Sequence, residues 1–208
     1  MNRLENVGPD RPWLVRADSF VKEAFARAGN PLVVRHLKRT VDWLRELKPA
    51  ADEALVVAAL VHDIERAFRE EEVYARMFTS PMAFRDPAFL DYHQQRSARI
   101  IGDFLAECGA PEDFRIRVCA LVARHEVGGD PESDLLKDAD SLSFFEVNTD
   151  LFVTVKVKEA GLAAVAEKFD WMYARISGAR ARKLCRPLYE QARARLTGRD
   201  AAGSPLGG

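Results

Sequence analysis

The unbroken apolar run Ala54–Val61 constrains this chain more than any other feature. A helix that is hydrophobic on every side has no face to give to water, so it must lie at the centre of a larger body. The run is too short to span a bilayer, which takes about 20 residues. It is therefore read as the buried core helix of a segment Asp52–Arg66, and it leads straight into His62-Asp63. A chain of 208 residues supplies enough surroundings for one such core.

Those surroundings read as helix nearly throughout. Pro31 opens a segment to Lys48 with Val33, Leu37, Val41 and Leu44 at helical spacing, and Pro49 closes it. Ala88–Cys108 is a long amphipathic helix ended by Gly109 and Pro111. Pro111–Glu126 and Ser133–Val147 follow, separated by Gly128, Gly129 and Pro131, and two final helices cover Lys158–Ile176 and Ala179–Leu196. Glu70–Asp86 mixes charge, proline and aromatics and reads as an irregular excursion of the kind that borders active sites, with a short strand or hairpin as the open alternative. The expectation is all-α: a single helical domain over residues 1–197, with a disordered Gly/Ala-rich tail over 198–208.

A net charge of -1 points away from nucleic acid as a partner, and no stretch predicts a membrane span. Met1–Asp10 carries no basic-then-apolar leader, and the three cysteines form no CxxC pair. Both features predict a cytoplasmic protein with reduced core thiols.

All four histidines, His36, His62, His93 and His125, have apolar or small neighbours one helical turn away. Asp140, in the run Lys137-Asp138-Ala139-Asp140-Ser141-Leu142, shares its side with Leu136 and Phe144. One inward histidine is ordinarily a hydrogen-bonded core residue. Five inward polar groups from five helices are costly one by one, and a shared cation satisfies them together. Nitrogen and carboxylate donors without thiolate suit Mn, Fe, Co, Ni or Zn. Six donors exceed the needs of one ion with open positions and suit one or two ions, with Asp63 as the natural bridge.

The order His36, then Leu60-Val61-His62-Asp63-Ile64, then Asp140 in an Ala-Asp-x-Leu context resembles the HD-domain superfamily of metal-dependent phosphohydrolases, over roughly Pro31–Ile176. The resemblance implies a helical bundle with the metal site at its centre. It implies His36, His62, Asp63 and Asp140 as ligands, with Asp138, about 200° away from Asp140 on a helix, behind the ligands or on the surface. His93 and His125 resemble the additional histidines of binuclear relatives, with His125 either a ligand or a wall of the pocket. The absence of a His-His pair and of a GYP signature separates the chain from cyclic-di-GMP phosphodiesterases. Ile64-Glu65-Arg66 stands where (p)ppGpp hydrolases carry Glu-Asp. The implied reaction is attack of metal-activated water on a small phosphorylated substrate, a nucleotide or other phosphate ester. In it Asp63, Glu65, Arg66 and Lys137 are the candidate catalytic residues. Arg96 and Arg124 are further cations for phosphate, and Glu65 and Glu126 are candidates for orienting imidazoles. The basic stretch Met172–Arg199, including Arg175, reads as the solvated side of an amphipathic helix. The series H…HD…H…H…D is also that of HD-fold di-iron oxygenases, the alternative function. A ligand-binding protein without turnover is the third.

Overall fold

Proline, glycine and aspartate set most of the helix boundaries in the computed structural model, which describes residues 11–198. Helix α1 (Pro12–Arg27) and α2 (Pro31–Leu47) each begin on a proline. Asp52 caps α3 (Glu53–Val61) by accepting from the Leu55 amide at 3.1 Å. A 3-10 turn (Ile64–Ala67) then leads to the short α4 (Glu71–Met77) and a second 3-10 turn (Ala83–Arg85). Asp86 caps α5 (Pro87–Glu107), α6 spans Glu112–Val122, and Asp130 caps α7 (Pro131–Val147). The chain continues through α8 (Thr149–Leu151), a π-helical stretch (Phe152–Lys156) and α9 (Val157–Ala160). It closes with α10 (Leu162–Ala174) and α11 (Ala179–Leu196).

The described residues contain helices and no strand. Every residue of Ala54–Val61 is buried, as its all-round hydrophobicity requires. α1, α2, α6 and α7 all pack on α3. A second apolar cluster forms between the C-terminal half of α7, α10 and α11, through Leu142, Phe145, Phe169 and Cys185. Trp43 and Leu47 of α2 touch both clusters, so α2 links them. No described helix is long and apolar enough to cross a membrane. The cysteines are free thiols; Cys185 is in the core, whereas Cys108 and Cys119 are only half-buried.

Several boundaries differ from the sequence expectation. α1 is an additional helix, which buries Leu14, Ala17, Val21 and Phe25. Its first turn is capped from a distance: Glu53 accepts from the amides of Trp13 and Leu14 at 2.8 and 2.9 Å, a cap with no local signal. α6 stops at Val122, so His125 sits in the following turn rather than on a helix, and His62 likewise follows the last residue of α3. Gly161, at φ +86, divides the expected Lys158–Ile176 helix into α9 and α10. The Glu70–Asp86 excursion holds α4 and a 3-10 turn. Of the tail expected to be disordered, 198–208, all but Gly198 lies outside the described residues.

Candidate metal centre

Each of the four imidazoles has one ring nitrogen committed to a neighbour. His62 Nδ1 donates to the Ala59 carbonyl at 2.9 Å, and His125 Nδ1 donates to the Val122 carbonyl at 2.8 Å. A carbonyl can only accept, so these contacts place the proton on Nδ1 and the lone pair on Nε2. His93 Nδ1 donates to Glu65 Oε2 at 2.9 Å, which has the same effect. His36 Nδ1 donates to the Ser143 hydroxyl at 2.9 Å, and that hydroxyl donates onward to the His36 carbonyl at 2.7 Å. In the neutral rings all four Nε2 lone pairs are thus available.

They face two carboxylates. His36 Nε2 lies 3.0 Å and His62 Nε2 3.4 Å from Asp140 Oδ1. His93 Nε2 lies 2.8 Å and His125 Nε2 3.9 Å from Asp63 Oδ1. The result is two adjacent groups, His36/His62/Asp140 and Asp63/His93/His125, each with its donor atoms within 4.8 Å of one another. The imidazole rings of His62 and His125 join them, with centroids 5.0 Å apart. Asp63 stands between the groups, with Oδ1 toward His93 and Oδ2 4.0 Å from His36 Nε2. All six residues are buried, and the Nε2 atoms of His62 and His125 have no hydrogen-bond partner. Acceptor lone pairs aimed at carboxylates in a dry interior are unstable unless a proton or a cation lies between them. These buried groups can hold a metal ion.

The electrostatics follow from the crowding. Burial alone would raise Asp63, but Arg66 and His93 outweigh it and hold its carboxyl well below the usual carboxylate range. For Asp140, burial is likewise outweighed, chiefly by Arg175 and by the nearby His36 and His62 imidazoles, and its carboxyl too lies well below the usual range. Burial opposes protonation of His93, yet Asp63 and Glu65 lift it to about 9. His125 has no such partner, and burial lowers it to about 4.

Beside the two groups opens a cavity of about 510 Å³. His36, Asp63, Asp140, Arg66, Lys168 and Arg175 line its polar end, and Tyr74, Phe78, Phe84, Phe89, Phe144 and Phe152 its aromatic walls. The excursion Glu70–Asp86 contributes part of that wall. Arg66 joins Asp63 Oδ2 through Nε at 2.6 Å and remains two-fifths exposed (40%). Glu65 lies against His93, as the orienting role requires, whereas Glu126 engages Arg175.

Other expected positions differ. Lys137, one turn before Asp140, turns away from the cavity and pairs with Asp134 at 2.7 Å. Arg96 is tied to Glu70 at 2.6 Å and Arg124 to Asp130 at 3.2 Å, and neither lines the cavity. Asp138 is neither at the metal groups nor on the surface. It is buried and accepts from the amides of Ser177 and Gly178, both at 2.7 Å, where α11 begins. Arg175 is not solvated: with its side chain only 7% exposed, it bridges Glu126 and Asp140 and reaches the Ser141 hydroxyl at 2.9 Å. Lys168 was not among the expected site residues and Arg175 was expected to be solvated, although a signal for both existed. They share one helical face with Val165 and Met172, and a cation amid core residues is seldom a surface residue.

The Glu65–His93 contact carries a test. Glu65→Gln keeps the shape of the side chain and removes the charge, and metal affinity is expected to fall about 10–100-fold, as for other partners of ligating imidazoles. Competition titration against a chelating dye measures it, and an unchanged affinity would show that Glu65 only fills space.

No curated protein and no solved structure matches the chain. A family model described as a domain of unknown function, DUF4202, matches residues 18–188. That span covers most of the chain and includes all six histidine and aspartate donors together with Arg66, Lys168 and Arg175, so the protein belongs to the DUF4202 family.

Proposed function

We propose that this protein is a metal-dependent phosphohydrolase of the HD type that cleaves a small phosphate ester or nucleotide. The observation that carries the proposal is the convergence of four Nε2 atoms, each fixed by a partner on Nδ1, upon two carboxylates at the end of one cavity. The proposed ligands are His36, His62 and Asp140 for one divalent transition-metal ion and His93, His125 and Asp63 for a second, with Asp63 shared. When bound, such ions supply water acidified toward neutral pH and positive charge for phosphoryl oxygens.

The chain's own residues supply the rest. Arg66, paired with Asp63 through Nε, has no hydrogen-bond partner on its terminal nitrogens among the described residues and can turn them to phosphoryl oxygens. Arg175 neutralises Asp140 and Glu126, which lowers the repulsion an arriving anion meets. The aromatic walls exclude water and offer stacking surface to the organic part of a nucleotide. Lys137 takes no part in this scheme, because its ammonium is directed to Asp134.

A second reading, an HD-fold di-iron oxygenase, is favoured by one observation: His125 lies within the donor cluster, so all six members of the series H…HD…H…H…D gather. Elemental analysis of protein purified without added metal, followed by a phosphate-release screen with Mn and Co over phosphomonoesters and nucleotides, separates the two. Metal-dependent phosphate release that a chelator abolishes is expected. Iron in the protein, oxygen uptake and no phosphate release would transfer the conclusion to the oxygenase.

A further inference from the structure

Four cationic side chains line the cavity, and three of them are already engaged. Arg66 is paired with Asp63, Arg175 with Glu126 and Asp140, and Lys156 with Glu159. Lys168 is different. Among the described residues its ammonium has no carboxylate partner. It is held instead among aromatic faces, 4.5 Å from the ring centroid of Trp171, 4.7 Å from Phe84 and 5.6 Å from Phe144. Aromatic faces attract a cation without neutralising it, and they limit where it can swing. The box therefore positions a positive charge at the cavity and leaves its hydrogen-bonding capacity unspent. Burial lowers this ammonium to about 8, the behaviour of a charge that lacks its counterion.

We infer that Lys168 is the anion-recognition residue of this cavity, and that the ligand it selects is a phosphomonoester whose organic part is planar or apolar. The inference rests on the phosphohydrolase reading and narrows its substrate class. The cavity supplies the complementary halves: Lys168 and the free end of Arg66 for the phosphate, and Tyr74, Phe78, Phe89 and Phe152 for the remainder. About 510 Å³ is the room of a ligand of nucleoside monophosphate size rather than of a polymer.

The probe is inorganic phosphate, titrated calorimetrically into the full, metal-loaded chain. Lys168→Met keeps the length and the apolar stem, and it is expected to weaken phosphate binding at least about tenfold, the value of one charge-assisted hydrogen bond. Lys168→Arg should retain most of the affinity, and metal content should be equal in all three proteins. Wild-type affinity in Lys168→Met would overturn the assignment. So would loss of metal together with phosphate binding in that variant, because the effect would then be structural. Phenylphosphonate should bind more tightly than methylphosphonate, and equal affinities would remove the planar-ligand half of the inference. Lys168-dependent phosphate binding with no ester hydrolysed would leave this anion site standing and defeat the proposed activity alone. A metal-loaded wild type that binds no phosphate would defeat both.

Discussion

Asp63→Ala is expected to strip metal from both donor groups and to abolish turnover. Its two carboxylate oxygens reach toward different groups, Oδ1 to His93 and His125 and Oδ2 to His36, so one truncation removes a donor from each. It also leaves the Arg66 guanidinium without its carboxylate partner. A single outer-shell partner is worth about 10–100-fold in metal affinity, and loss of a shared direct donor should exceed about 100-fold. Elemental analysis after gel filtration, with a circular dichroism spectrum to show that the helices persist, provides the measurement. Full metal occupancy in the folded variant would remove Asp63 from the centre and with it the two-group arrangement.

The second large effect falls on stability rather than metal. Asp138→Ala is expected to destabilise the fold by about 3 kcal/mol, with metal affinity of the folded protein unchanged. The carboxylate of Asp138 caps α11 from outside, accepting the amides of Ser177 and Gly178, and a negative charge there faces the positive end of the α11 dipole. The site is tight: a Cβ on Gly178 would come within 2.8 Å of Asp138 Oδ2, so the glycine lets the backbone approach the acid. The value is kept to a few kcal/mol because burial already penalises the charged carboxyl, raising it from its ordinary range. Urea denaturation of wild type and variant reads the difference. A midpoint change worth under about 0.5 kcal/mol would mean that water replaces the cap without loss.

Asp138 and Asp140 show why helical geometry carries part of the site and not the rest. The two cannot face the same way on one helix, and they do not: Asp140 joins the His36/His62 donor group, and Asp138 points to the α10–α11 junction. Which neighbour Asp138 would find could not be read from α7, because Ser177 and Gly178 come from a turn beyond three further helices. Lys137 follows the same logic in reverse. Its spacing of one turn from Asp140 suggested a shared face, but Asp134 and the Gly128 turn drew the flexible ammonium elsewhere. The positions of His62 and His125 beyond helix ends were equally illegible. There a backbone carbonyl three residues back, Ala59 or Val122, accepts the Nδ1–H hydrogen bond and fixes the tautomer.

What the chain alone determined is whatever depends on near neighbours. Helical periodicity, the proline, glycine and aspartate boundaries, the all-round burial of Ala54–Val61 and the inward direction of His36, His93 and Asp140 all follow from spacing over a turn or two. Tertiary structure decided the pairings between residues remote in sequence. It set the Glu53 cap on α1, the assignment of six donors to two groups, and the place of Arg175, expected to be solvated, and of Lys168 at the cavity. The reason is physical: rotamer and backbone preferences act locally, whereas burial and charge pairing reward whichever partner the packed helices bring within reach.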